Sequence, residues 1–241
     1  MLENVIQLIR SSLPGACIVC GQAAGRDYGI CNDCGPSLPQ LGECCHRCGV
    51  ELGGRLSHDA CCSLCLRSPP GFDTCKAAFP YSSPISTLVA KFKFSAHFDV
   101  GYSLARTLAE RFNTHYSETT RPELLLPVPL HRRRLRSRGF NQAHEICKVL
   151  SACCQVPIAN NILLKTRHTQ AQTAMRSATA RKSNLRGTFA LGNLNALKNV
   201  THIAIVDDVV TTMATVEALA KLLLAQQQCR IDVWCLARAN R

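Results

Sequence analysis

The stretch IAIVDDVVTTMATVEAL, from Ile203 to Leu219, runs four apolar residues into two adjacent aspartates, then a threonine-rich turn, then a helical pattern. A short apolar run bounded by polar residues reads as a buried strand. Asp207 and Asp208 at its tip suit the vicinal hydroxyls of a sugar, directly or around Mg2+. Thr211, Thr212 and Thr215 offer hydroxyls and amides at a helix N-terminus, where phosphate is favoured. Asp207, Asp208, Val209, Val210, Thr211, Thr212, Met213, Ala214 and Thr215 therefore form a candidate phosphosugar site. The plain alternative is a strand, a polar turn and a capped helix without a ligand. Met213 departs from the expectation, because such a turn normally takes glycine.

Outward from this segment, strands and helices alternate. CKAAFPY, LLLPVP, THIAIV and CRIDVWCLAR read as strands; SPISTLVAKFKF, DVGYSLARTLAERF, GFNQAHEICKVLSACC and TVEALAKLLLAQQ read as helices. The alternation predicts an α/β domain over 75–241, a parallel sheet covered by helices. Ligands of such sheets bind at the carboxyl ends of the strands, so two further polar segments are expected beside the first. PVPLHRRRLRSRGFNQ follows a strand and offers Val128, Pro129, Arg132, Arg133, Arg134, Arg136, Arg138, Asn141 and Gln142 to pyrophosphate or a nucleic-acid backbone. So dense a run of arginines also fits a solvated loop. KTRHTQAQTAMRSATARKSNLRG, with Arg167, Gln170, Gln172, Arg176 and Arg181, reads as a lid over a phosphosugar or as an ordinary surface loop.

Ahead of this domain, cysteine sets the pattern. The chain has 16 cysteines, and Cys17/Cys20, Cys31/Cys34, Cys45/Cys48 and Cys62/Cys65 are four C-x-x-C pairs. Such spacing lets both sulfurs meet one metal ion. Gly21, Gly35 and Gly49 follow three of the pairs, as a zinc knuckle with a positive-φ turn requires. Two structural zinc sites are expected within a small domain over 1–70. The ligands pair either sequentially or interleaved, and Cys44, Cys61, His46 and His58 are possible substitutes. Few large apolar residues lie here, so metal replaces a core. Pro69, Pro70 and Gly71 read as the linker.

The formal net charge is +12. Eight thiolates and two zinc dications would change it by −4, to about +8, which still suits a polyanionic partner. No uncharged apolar run is long enough to cross a bilayer. MLENVIQLIR lacks the apolar core of a signal peptide and has the spacing of a short amphipathic helix, so a cytoplasmic location without membrane insertion is expected.

Together with the C-x-x-C pairs, the motifs CLRSPPGFD, KFKF, PVPLHRRRLRSRGFNQ, KTRHTQAQTAMRSATARKSNLRGTF and IAIVDDVVTTMATV resemble the ComF/GntX family of competence and DNA-utilisation proteins. The C-terminal part of that family is similar to type I phosphoribosyltransferases, and the resemblance covers nearly the whole chain. It implies a pocket of the phosphoribosyl pyrophosphate type with Mg2+. Asp207 and Asp208 match its ribose-holding pair and Val209 to Thr215 its 5′-phosphate loop. Val128 to Arg132 match the pyrophosphate loop, and the segment around Arg167 matches the lid. The family turn is usually T-T-G-x-T, so Met213 departs from it.

The resemblance also implies handling of incoming single-stranded DNA for transformation or DNA utilisation. A competence helicase and a recombination mediator are the candidate protein partners. Phe92, Phe94 and Phe140 are candidate stacking rings, with core packing as their commoner role. An active Mg-dependent phosphoribosyltransferase of nucleotide metabolism is the alternative. Glutamine-dependent chemistry is not expected, because Leu2 stands where the cysteine nucleophile would be.

Overall fold

A computed structural model describes residues 15–24, 29–54, 60–116, 120–167 and 187–240. Two short helices, α1 (Cys34–Ser37) and α2 (Ser63–Arg67), lie in the cysteine-rich region. The body follows as β1 (Thr74–Pro80), α3 (Ile85–Ser95), α4 (Phe98–His115), β2 (Leu124–Pro127), α5 (Arg132–Arg138) and α6 (Gln142–Cys154). After these come β3 (Leu163–Lys165), β4 (Phe189–Leu191), β5 (His202–Val210), α7 (Ala214–Leu224) and β6 (Arg230–Arg238).

Four strands form one parallel sheet in the order β1-β6-β5-β2, and β3 pairs with β4 in a separate antiparallel hairpin. Because side chains alternate along a strand, the sheet presents two apolar faces. Ala204 and Val206 join Val89, Leu104, Phe112 and Ile146 of the helices on one face. Ile203 and Ile205 join Val216, Leu219 and Leu223 of α7, with Leu163 and Phe189 of the hairpin, on the other. The expected parallel sheet covered by helices is therefore the observed architecture, with element ends within a few residues of those expected. The main departures are two. β5 runs on through Asp207 and Asp208 to Val210, and the arginine run, read as a loop, is helix α5.

The cysteine-rich region is bound to this body. Ile18, Ile30 and Leu38 pack on the first core. Thr74 Oγ1 donates to the His46 carbonyl at 2.8 Å, and the Gly71 amide donates to Glu217 of α7 at 2.8 Å. A Cβ at Gly49 would lie 2.5 Å from the Cys75 carbonyl oxygen, so only glycine lets this loop touch β1.

At the amino ends of the strands a buried polar network ties β5, β6 and the end of α4. Asp232, fully buried, accepts from the Tyr116 hydroxyl and meets His202 Nε2 at 2.9 Å and Arg230 Nη2 at 3.2 Å. Trp234 Nε1 donates to the Tyr116 oxygen at 2.8 Å. Burial raises the Asp232 carboxyl, but His202, Tyr116 and Arg230 outweigh it and hold it below its usual range. Tyr116→Phe would strand the indole N–H and remove one donor from the carboxylate, at a cost of about 1–3 kcal/mol. Chemical denaturation of the two proteins checks this, and equal midpoints would contradict it.

Candidate phosphosugar pocket and metal centres

The carboxyl ends of β1, β2 and β5 open into one cavity of about 620 Å3, whose walls include Tyr81, Val128, Pro129, Arg134, Arg138, Asp207, Asp208 and Thr215. Asp207 and Asp208 are successive residues of a strand, so they leave it toward opposite faces. Asp208 is buried and pairs with Lys93 Nζ of α3 at 3.0 Å. Asp207 accepts from the Asp208 amide at 2.9 Å. Burial, and then the charge of Asp208, push its carboxyl from 3.8 up to about 8. A divalent cation here would have to displace the Asp207 proton and compete with Lys93.

The turn after β5 ends on Met213, with φ 64° and ψ −3°, and opens α7 without a side-chain cap. A non-glycine residue in this left-handed region costs on the order of 1–2 kcal/mol. Glu217 donates the first i+4 bond, to the Met213 carbonyl at 2.8 Å, so the amides of Ala214, Thr215 and Val216 precede the helical ladder. A small cup of about 30 Å3 lies over them, lined by Asp207, Thr211, Met213, Ala214 and Thr215. The first turn of a helix, at the positive end of its dipole, suits a phosphate.

In the arginine segment, His131 Nδ1 accepts from the Arg133 amide at 3.2 Å and caps α5, and Gly139, at φ 85°, ends it. Helical spacing then sorts the guanidinium groups. Arg134 and Arg138, four residues apart, line the cavity, whereas Arg132, Arg133 and Arg136 are exposed and do not. Asn141 caps α6 through the Ala143 amide at 3.1 Å, and its amide donates to the Val128 carbonyl at 3.1 Å, fixing the loop after β2. Gln142 lines the cavity. Of the three candidate stacking rings, Phe92 and Phe140 are core residues and only Phe94 is exposed. Of the lid residues, Arg167 is described, beside the Thr166–Thr188 backbone hydrogen bond at the base of the β3–β4 hairpin. Gln170, Gln172, Arg176 and Arg181 lie outside the described residues, as do His58 and the expected N-terminal helix.

The cysteines assemble sequentially. Cys17, Cys20, Cys31 and Cys34 form one group and Cys45, Cys48, Cys62 and Cys65 another, with sulfurs inside each group within 4.8 Å of one another. Each group could hold a metal ion, and four thiolates suit zinc. Cys44, Cys61 and His46 belong to neither group. The knuckle pattern holds at Gly21 and Gly49, whose φ values are 78° and 66°, but Gly35 lies inside α1. The glycine amides donate to the Cys17 and Cys45 carbonyls, not to thiolates. Cys17 Sγ accepts from the Cys31 amide at 3.4 Å, and Cys45 Sγ from the Cys62 amide at 3.3 Å. Burial raises both thiols, but these and neighbouring amides outweigh it and bring each to about 6, favouring the ligating thiolate.

The second cysteine group abuts the turn after β5. Met213 packs against the cluster of Cys45, Cys48 and Cys65, so its side chain is covered at the position where its backbone is strained. Arg238, the last residue of β6 and fully buried, donates through Nε to the Cys48 carbonyl at 2.8 Å. Its Nη1 reaches the carbonyls of Val210 at 3.1 Å, Thr211 at 2.6 Å and Ala239 at 2.6 Å. Sequence reasoning missed Arg238. The available signal was a cation ending a strand whose other interior residues are nearly all apolar. Lys93 and Lys165, also in the cavity wall, were missed because no local pattern ties them to Asp207 and Asp208.

The chain is 35% identical over 226 residues to competence protein F of Haemophilus influenzae, covering 92% of this chain and 96% of that protein. It is 34% identical over 232 residues to DNA utilization protein YhgH of Escherichia coli K12, covering 94% and 98%. The chain belongs to the ComF family of competence and DNA-utilisation proteins. A more distant relative, competence protein ComFC of Bacillus subtilis, is 23% identical over 82% of this ComF-family chain and 79% of its own length. No family model matches. Among solved structures, hypoxanthine phosphoribosyltransferase of Trypanosoma cruzi with its product IMP superimposes with a TM-score of 0.33 and 16% identity, over 57% of this chain and 65% of that one.

Two outcomes follow from this ComF-family geometry. Asp207 holds its proton in the folded chain up to about pH 8, whereas the unfolded chain releases it near 3.8. The folded state therefore loses stability as pH rises through that window. Asp207→Asn removes the loss and should be more stable than wild type at pH 8 by about 1–3 kcal/mol, with the gap closing below pH 4. Denaturation midpoints across pH measure it. Arg238→Met should cost about 2–4 kcal/mol, because carbonyls of the turn and the cysteine loop lose a charged donor. It should also speed hydrogen exchange of the amides at 211–216, and unchanged exchange there would refute the link between loop and turn.

Proposed function

We propose that this chain handles single-stranded DNA in the cytosol, on a phosphoribosyltransferase-like scaffold whose cavity takes a phosphoribosyl pyrophosphate-type ligand with Mg2+. The observation that carries the reading is the joining, in one cavity, of the acid pair and the phosphate turn to Arg134 and Arg138. A phosphosugar has a place for each of its parts: hydroxyls at Asp207 and Asp208, the 5′-phosphate at the amides of 214–216, a second phosphate toward Arg134 and the Val128–Leu130 loop. The exposed Arg132, Arg133 and Arg136 on the outer side of the same helix supply a sequence-independent hold on a nucleic-acid backbone. Relatives named for competence and for DNA utilization support that role.

The two cysteine groups are proposed as structural zinc sites with four protein ligands each, which leaves no open position for catalysis. Among the described residues no helix is long and apolar enough to cross a membrane. A helicase and a recombination mediator are the proposed protein partners, reached through the cysteine-rich face. The acid pair also favours a second reading, Mg-assisted transfer of the phosphoribosyl group. Pyrophosphate release with a panel of base acceptors separates turnover from binding alone.

Two titrations test the principal reading. Phosphoribosyl pyrophosphate with Mg2+ should bind wild type and bind Met213→Gly more tightly, and no heat on titration of either protein would end the pocket assignment. Single-stranded DNA should bind with a steep salt dependence. Replacing Arg132, Arg133 and Arg136 together by Ala should reduce the logarithmic slope by roughly 0.7 for each phosphate that is no longer neutralised. A slope that does not change would remove α5 from the DNA path.

A further inference from the structure

The outer part of the cavity holds groups that a phosphosugar does not use. Phe94 lies there with 75% of its surface exposed, while Phe92, two residues earlier on the same helix, is 1% exposed. The ring is not loose, because the Arg138 guanidinium carbon stands 5.1 Å from its centroid. Arg138 is in turn oriented by Gln142, donating from Nη1 to Oε1 at 2.7 Å. Gln142 is 3% exposed and forms part of the cavity wall. With Oε1 engaged, its Nε2 has no partner among the described residues. Tyr81 adds a second partly exposed ring to the same wall.

These features demand a particular ligand chemistry. An exposed phenyl ring held by a guanidinium group is a face on which a planar ring stacks. A buried amide donor with no acceptor is costly until a ligand brings one. A phosphate would occupy Arg138 and leave Phe94 bare, and a ribose has no π-face to set against the ring and the guanidinium together. A nucleobase satisfies all three groups, and every base has both a π-face and an acceptor edge, so little sequence preference results. Lys93, Arg134 and Arg138 around the seat suit the charge of the strand that carries the base.

We infer that Phe94, Arg138 and Gln142 form a nucleobase seat beside the phosphosugar pocket, in which one base of a single-stranded DNA stacks on the Phe94–Arg138 pair and accepts a hydrogen bond from Gln142 Nε2. This assignment rests on the single-strand reading above and identifies where that strand touches the cavity.

The test compares an oligothymidine with an abasic strand of equal length on the full chain. Wild type should bind the oligothymidine about tenfold more tightly, in keeping with one stacked base. Phe94→Ala, at an exposed position that does not threaten folding, should abolish that preference and leave affinity for the abasic strand unchanged. Gln142→Leu should lower affinity for oligothymidine severalfold while a 2-aminopurine strand still shows the fluorescence quenching of a stacked base. Equal binding of the two strands by wild type, unaltered in Phe94→Ala, overturns the seat and leaves the single-strand reading intact. A preference that survives Phe94→Ala places the base elsewhere and also overturns the seat. Failure of both strands to bind overturns the seat and the single-strand reading together.

Discussion

Arg238 carries its charge into the interior where three parts of the molecule meet. Among the described residues it has no carboxylate partner; its Nε and Nη1 donate to the carbonyls of Cys48, Val210, Thr211 and Ala239, while Nη2 has no partner there. A buried cation is tolerated only where such groups replace its water. Each of those carbonyls is held in turn by the guanidinium, so the turn after β5, the cysteine loop and the C-terminal residues share one anchor. A zinc centre bound by four thiolates carries a net charge of −2, and the second cysteine group would set that charge beside the arginine.

Met213 makes sense within that arrangement. Its backbone occupies a region that favours glycine, and its side chain lies against Cys45, Cys48 and Cys65. Glycine would relieve the strain but leave the cysteine cluster uncovered on that side. The pocket and the cysteine-rich region are thus parts of one packed unit. The linker at Pro69 to Gly71 separates them in sequence, while Glu217 of α7 holds the Gly71 amide.

Electrostatics divides the cavity in a similar way. The acid pair is masked, Asp208 by Lys93 and Asp207 by a proton retained to about pH 8. The same cavity is also lined by Arg134 and Arg138. Masked carboxyls beside guanidinium groups favour an anion over a bare divalent cation.

The sequence by itself determined the alternating body, the strand that ends in Asp207 and Asp208, the two sets of four cysteines and the family. These depend on period, on C-x-x-C spacing and on adjacent residues, all of which are local. Tertiary structure decided what local pattern does not carry. Helical periodicity put Arg134 and Arg138 in the cavity and left Arg132, Arg133 and Arg136 outside it, although all five lie close together in sequence. Packing sent Phe92 and Phe140 into the core and left Phe94 at the mouth. The sequential grouping of the cysteines and the reach of Arg238 to Cys48, 190 residues away, follow from chain folding in three dimensions. A hydrogen bond to a distant backbone carbonyl requires no particular residue type at the acceptor, so it leaves no mark in the sequence there.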